Sequence, residues 1–263
     1  LRERVDRFFI AQFEGLPLDQ ADEMDILEAN GSVNFGSNKA YRAMLKKIKA
    51  GSPATNPDDL QYILDNVDVD NLFEYMALEM FVGNSDIGNI RYYRLHQEGS
   101  KWKWIWYDAD YGLYSSKFNS PWSYLKVKGM GEQKIDNTIF LKLLEHPDYK
   151  RKFLEKLADV YKTFTTEYMT QVLDGVVAEI QPEMKNHWER WGELNDKAVT
   201  SEVPTTIDGA YTYWESRVNR LYNTLKVRPH RLWDFIKDEF KLTKAEMEEL
   251  FGPQPDYPDD AVL

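Results

Sequence analysis

Apolar side chains recur at helical spacing from the start of the chain. Val5, Phe8, Phe9 and Phe13 predict a helix that Gly15 and Pro17 end. Residues 24–41, MDILEANGSVNFGSNKAY, read as a short apolar element, a turn at Asn30-Gly31 and a loop, with Ser37 or Asn38 as N-cap of a helix reaching Lys49. GSPATNP (51–57) breaks that pattern. Leu60, Ile63 and Leu64 then place a short helix, after which Leu72, Phe73, Met76, Met80 and Phe81 line one face of a longer one, capped by Asp68 or Asp70 and stopped by Gly83.

After Gly83 the period changes from 3.6 to 2. A polar loop, NSDIGN (84–89), leads into a strand over 90–95, the turn QEGS, and a second strand over 102–107. Trp102, Trp104 and Trp106 alternate onto one face, with Lys103, Ile105 and Tyr107 on the other. Such an aromatic face predicts burial against helices rather than a sugar-stacking platform. Residues 111–137 carry little periodicity and are expected to form a long ordered loop. Beyond them the pattern is helical: two helices broken at His146-Pro147, a stretch kinked at Pro182, one or two helices over 209–240, and a last short helix opened by a Thr243–Glu246 capping box. The Pro- and Asp-rich residues 251–263 read as a linker or frayed tail. The expected fold class is mainly α with a small β-hairpin, one unit over residues 1–250.

Composition narrows the chemistry. With 263 residues, 43% of them hydrophobic, the chain can bury a substantial core. Its net charge of −11 opposes binding to nucleic-acid phosphates, and the densest basic run, Lys46, Lys47 and Lys49, reads as a solvated face. No cysteine is present, which excludes disulfides, thiolate nucleophiles and Cys-ligated zinc. No apolar run reaches the roughly 20 residues that span a bilayer. His96, His146, His187 and His230 are scattered without metal-ligand spacing, Trp188 and Trp191 suit core or interface packing, and the arginines of ESRVNRL (215–221) and VRPHRL (227–232) are expected on solvated helix faces.

The mouths of the hairpin change the picture. Asp108 and Asp110 end its second strand, with Ala109 between them and Gly112 just beyond; alone, that spacing suits turn chemistry at least as well as a metal site. Asp86 and Asn89 precede its first strand. A hairpin lays the start of one strand beside the end of the other, so Asp86, Asn89, Asp108 and Asp110 are expected to converge on one oxygen-rich site for a hard divalent cation and, through it, phosphates. Helix, Asp with a downstream Asn, hairpin, then Asp near Gly is the order of the lower half of a protein kinase active site. Asn84-Ser85 stands where His-Arg is usual, and DADYG where Asp-Phe-Gly is usual.

In GNSDIGNIRYY (83–93) and IWYDADYG (105–112) the chain resembles the CotH kinase family, atypical protein kinases named for a spore coat protein. ANGSVNFGSNKAY (29–41), KFLEKLADVY (152–161), NHWERW (186–191) and WESRVNRLY (214–222) extend the similarity over most of residues 1–240. The resemblance implies a kinase-like C-terminal lobe that transfers the γ-phosphoryl of ATP to Ser or Thr hydroxyls of a protein substrate with Mg²⁺, Mn²⁺ or Ca²⁺ being alternatives at the metal site. It implies that Asp86 is the catalytic-loop acid, that Asn89 and Asp108 bind the cofactor and its metal, and that Asp110 supports the metal. Tyr107 stands where the family usually has Trp. Only Ile87 and Gly88 separate Asp86 from Asn89 where the family has four residues, a shortening expected to bear on whether Asn89 reaches the metal.

Family members carry a small β-rich lobe, with a Lys for the ATP phosphates, ahead of this region, and LRERVD (1–6) resembles the hinge leaving it. The chain is therefore expected to be the C-terminal lobe, inactive by itself. Family habit implies an extracellular, cell-surface or spore-surface setting, with partners in a surface assembly. A reading from another class is a non-catalytic, secreted, cellulosome- or surface-associated binding module whose acidic cluster holds Ca²⁺ structurally. A glycosidase fits less well, because its carboxyls flank a sugar bond rather than crowd together.

Overall fold

The computed structural model describes residues 4–126, 135–198 and 206–259. Four strands, β1 (Met24–Glu28), β2 (Ser32–Phe35), β3 (Arg91–Leu95) and β4 (Lys103–Ile105), make an antiparallel sheet in the order β2-β1-β3-β4. The hairpin expected over 90–107 is β3–β4. The hairpin β1–β2, which enlarges it to a four-stranded sheet, was not expected from the pattern. Met24, Asp25, Ile26 and Leu27 are buried in succession, so β1 shows none of the alternation that marks a strand with one wet face.

Both faces of the inner strands β1 and β3 are covered, while β2 at the edge is exposed. Leu27, Tyr92, Trp102 and Trp104 enter the main core, where Trp104 stacks on Tyr92 with ring centroids 5.6 Å apart and Trp102 meets Tyr41 edge-on. Met24, Ile26, Tyr93 and Leu95 join Ile10, Ala11 and Ala21 in a smaller cluster beneath α1 (Arg7–Phe13). The first helix thus lies where its spacing predicted, but on Ile10 and Ala11, leaving Phe8 and Phe13 exposed. Two of the three indoles pack inward; Trp106 lies past the end of β4 and is 43% exposed.

The helical body surrounds α4 (Val69–Val82), ten of whose fourteen residues are buried. α2 (Lys39–Ala50), α3 (Pro57–Asn66), α6 (Thr138–Leu144) and α7 (Pro147–Thr163) pack near it, with Phe73, Phe140 and Phe153 meeting edge to face. Such ring pairs add about 0.5–1.5 kcal/mol beyond the area they bury. Helix starts follow local capping chemistry. The Asp68 carboxylate accepts from Asn71 N, so it, not Asp70, caps α4; Asp70 instead pairs with Lys152 at 2.7 Å. Ser37 Oγ accepts from Lys39 N at the start of α2, while the neighbouring Asn38 amide donates to Gly31 O.

The break expected at His146-Pro147 separates α6 from α7, and at Pro182, where a kink was expected, a 3₁₀ turn separates α8 (Thr166–Ile180) from α9 (Met184–Ala198). Residues 111–126, expected to be loop, include a short helix, α5 (Ser120–Tyr124). The last long element is a single helix, α10 (Ile207–Phe240), that runs through Pro229. Proline cannot donate to the carbonyl four residues earlier; here Leu225 O accepts from the Thr166 hydroxyl instead, at 3.0 Å. α11 (Lys244–Phe251) opens with the Thr243–Glu246 capping box. Past it the chain stays against α10: Trp233 Nε1 donates to Gly252 O, and His230 Nδ1 lies 2.7 Å from Pro255 O. No helix among the described residues is long and apolar enough to cross a membrane.

Candidate functional site

A helix leaves its last four carbonyls without intrahelical donors, and the site is built on how α4 fills that need. Glu79 O accepts from Gly83 N and Asn84 N as the chain turns through Gly83, at φ 66°. Met80 O accepts from Arg228 Nη2 and the Ser120 hydroxyl, and Phe81 O from Arg228 Nε. Val82 O accepts from Leu113 N. One helix end therefore anchors the polar loop, the segment after Asp108, the start of α5 and α10.

Arg228 is 1% exposed, which corrects the expectation of a solvated arginine. Its third bond runs from Nη1 to Phe118 O at 2.7 Å, and a fourth from Nη2 to Ser120 Oγ, also at 2.7 Å. A guanidinium at a helix C-terminus also faces the negative end of the helix dipole. Burial lowers its pKa, and the bonds to carbonyl oxygens oppose that penalty. An Arg directly ahead of a proline inside a helix was the only trace of this role in the sequence.

The polar loop closes tightly. The Asp86 N–H donates to Asn84 Oδ1 at 3.1 Å, and Asn89 N donates back to Asp86 O at 3.3 Å. Ile87 turns into the core. Asn89 Nδ2 then donates to Asp86 Oδ2 at 2.9 Å and to Asp108 Oδ2 at 3.1 Å. Asp108 leaves the strand at φ 54°, a left-handed conformation that Asp tolerates better than most residues and that turns its side chain out of the strand direction. Gly112 is needed for space: a Cβ there would lie 2.8 Å from Ala109 O and 3.1 Å from the Val82 side chain.

Asp86, Asn89 and Asp108 are thus tied together, with only Ile87 and Gly88 between Asp86 and Asn89. Asp110 is exposed on the following turn and takes no part in these bonds. Among the described residues, no three or more His, Asp or Glu side chains gather as a metal cage. Two carboxylates and one carboxamide nevertheless suit Mg²⁺, which is held by one or two protein carboxylates plus waters and substrate phosphates. Asn89 carries a carbonyl oxygen beside the nitrogen that bridges the acids, so the same side chain can offer oxygen to a cation.

Beside this group lies a cleft of about 940 Å³, lined in part by Glu28, Asn30, Asn89, Arg91, Tyr107 and Asp108. Arg91 lies across it, donating to Val5 O at 2.5 Å, approaching Glu28 at 3.5 Å and covering the Tyr107 ring. Under the loop sits a buried acid. Glu79 is 1% exposed, and its Oε2 accepts from the Tyr124 hydroxyl at 2.6 Å. Burial pushes this carboxyl up to about 7, against the polar groups of Tyr124, Asn84 and Trp106 and with the help of the Asp86 charge. Glu79 is absent from the residues expected at the site, although one acid inside the apolar run MALEMFV (76–82) marks a buried carboxyl.

The family model described as CotH kinase protein matches residues 13–232. No curated protein and no solved structure matches the chain.

Proposed function

The chain belongs to the CotH kinase protein family, and on that premise we propose that it carries the catalytic-loop and metal-binding side of a site that moves the γ-phosphoryl of ATP to a Ser or Thr hydroxyl of a protein. The observation that carries this reading is the Asn89 amide, bonded at once to Asp86 and Asp108. Asp86, on the loop, orients the acceptor hydroxyl and takes its proton as phosphoryl transfer proceeds. Asp108 and Asn89 face the cleft that takes the nucleotide and supply the oxygens for the cation. A Mg²⁺ held by Asp108 and Asn89 would supply charge neutralisation for the triphosphate. Asp110, one turn away, attracts the cation through its field. The family's namesake suggests a cell- or spore-surface setting with protein partners there.

The binding-module reading asks for a structural Ca²⁺, which takes six to eight oxygens. Two carboxylates and an amide supply few of these, which favours the phosphotransferase. Electron paramagnetic titration of Mn²⁺ with ATP present separates the two. In the full-length protein, nucleotide-dependent Mn²⁺ binding that Asp108→Ala abolishes, with radiolabelled phosphoryl transfer also lost in Asp86→Ala, is the expected result. Undiminished Mn²⁺·ATP binding in Asp108→Ala, or tight Ca²⁺ binding indifferent to ATP, rejects the proposal.

A further inference from the structure

The loop that carries Asp86 does not rest on solvent. Beneath it lie three buried polar side chains from two helices and the loop itself: Glu79, Asn84 and Tyr124, with exposures of 1%, 1% and 3%. The Tyr124 hydroxyl is placed between Glu79 Oε2, at 2.6 Å, and Asn84 O, at 3.2 Å. Asn84 Oδ1 receives the backbone N–H of Asp86. The Tyr124 carbonyl in turn accepts from the buried Asn137 amide at 3.1 Å. Glu79 Oε1 is buried without a hydrogen-bond partner.

A carboxyl, a phenol and a carboxamide are costly to bury, and an apolar side chain of similar size would fill each place at less cost. Buried polar groups that meet in one short chain restrict the orientation of what they touch more than an apolar contact does. What this chain touches is the amide of Asp86. We propose that Glu79, Tyr124 and Asn84 are positioning residues that hold the Asp86 backbone so that its side chain accepts from the Asn89 amide that also bonds Asp108; this rests on the phosphotransferase reading of that site. None of the three faces the cleft, so each acts through Asp86 rather than on substrate. The Asn84 carboxamide fixes the loop directly, the Tyr124 hydroxyl fixes the Asn84 backbone, and Glu79 fixes the phenol.

The test reads the Asp86 amide itself. In the full chain, its ¹H–¹⁵N shift and hydrogen exchange are followed together with Mn²⁺ affinity in Asn84→Ala, Tyr124→Phe and Glu79→Gln. Tyr161→Phe serves as control, since that hydroxyl bonds to Pro229 O, away from the loop. Groups that orient a metal site from behind typically alter its affinity 10–100-fold, so Asn84→Ala should speed Asp86 exchange and weaken Mn²⁺ binding by about tenfold or more. Tyr124→Phe should move both in the same direction by less. Glu79→Gln, which keeps an acceptor for the phenol, should restore most of the wild-type behaviour, and Tyr161→Phe should change neither.

An Asp86 amide unmoved in both Asn84→Ala and Tyr124→Phe overturns the proposal; if Asn84→Ala does not fold, an unmoved amide in Tyr124→Phe overturns it alone. A displaced amide in a chain that binds no Mn²⁺ even as wild type upholds the positioning role and removes the phosphotransferase reading. Mn²⁺ binding unchanged by every variant leaves that reading standing and overturns the positioning role.

Discussion

Removing the Arg228 guanidinium tests whether the end of α4 is the anchor of the site. Its four bonds go to Met80 O, Phe81 O, Phe118 O and Ser120 Oγ, at 2.9, 3.1, 2.7 and 2.7 Å. In Arg228→Met, Met80 O keeps the Ser120 hydroxyl and Phe118 O keeps the Ser120 amide, so Phe81 O is the acceptor stripped of its donor. An orphaned buried carbonyl costs about 1–3 kcal/mol, and hydrogen bonds from a charged donor contribute about 1.5–3 kcal/mol each. Against that loss, the variant no longer buries a charge, a relief of several kcal/mol. The lost bonds outweigh that relief, leaving a destabilisation of at least about 2 kcal/mol, a large share of the 5–15 kcal/mol stability of a typical domain. Arg228→Lys should be worse than Arg228→Met: the ammonium keeps the cost of burial but lacks the planar fork that reaches carbonyls on three sides. Urea unfolding followed by tryptophan fluorescence gives both values. A lysine variant as stable as wild type, or a methionine variant losing less than about 1 kcal/mol, refutes the reasoning.

Two further outcomes follow from the same region. The Glu79 carboxyl is raised from its ordinary 4.5 to about 7 by burial, so the fold favours its protonated form. Its contribution is complete below about pH 4.5 and is lost as the pH rises through about 7, roughly 3 kcal/mol in all; Glu79→Gln should flatten this slope, and a wild-type stability that does not fall relative to the variant from pH 5 to 8 contradicts it. Gly112→Ala meets a backbone oxygen and Val82, neither of which can swing aside. It should cost about 1–3 kcal/mol in thermal or urea unfolding, and an unchanged midpoint shows that the turn is looser than its contacts imply.

The elements legible in the sequence are those whose determinants are local. The hairpin β3–β4, the Gly83 stop, the Asp68 cap and the Thr243–Glu246 box depend on residues a few positions apart, and their side chains advertise them. β1 escaped because burial on both faces erased its alternation, and the register of α1 slipped because three phenylalanines outweighed Ile10 and Ala11 in the pattern. The support of the loop was illegible for a different reason. Arg228 reaches Phe81 and Met80 across 147 and 148 positions of sequence, and Tyr124 reaches Glu79 across 45. A charged residue in such a contact has the same local spacing as one on a wet helix face, and only tertiary packing separates them.

The spacing of Asp86 and Asn89 shows how local and distant determinants combine. Antiparallel pairing sets Arg91 opposite Ile105, so Asn89 and Asp108 both lie just outside this pair at the open end of the hairpin, where the Asn89 amide donates to Asp108. Loop length does not enter this relation, because Asn89 lies on the strand side of the loop. On the other side of the loop, Asp86 follows the end of α4. There Gly83 turns the chain, Asn84 holds the Asp86 amide, and the bond from Asn89 N to Asp86 O draws the two residues into one turn. Ile87 and Gly88 therefore suffice to join a fixed helix end to a fixed strand with the Asn89 amide bonded to both Asp86 and Asp108. In this chain the two-residue interval keeps the Asp86, Asn89 and Asp108 group together, and that group depends on the α4 terminus staying where Arg228 and Leu113 hold it.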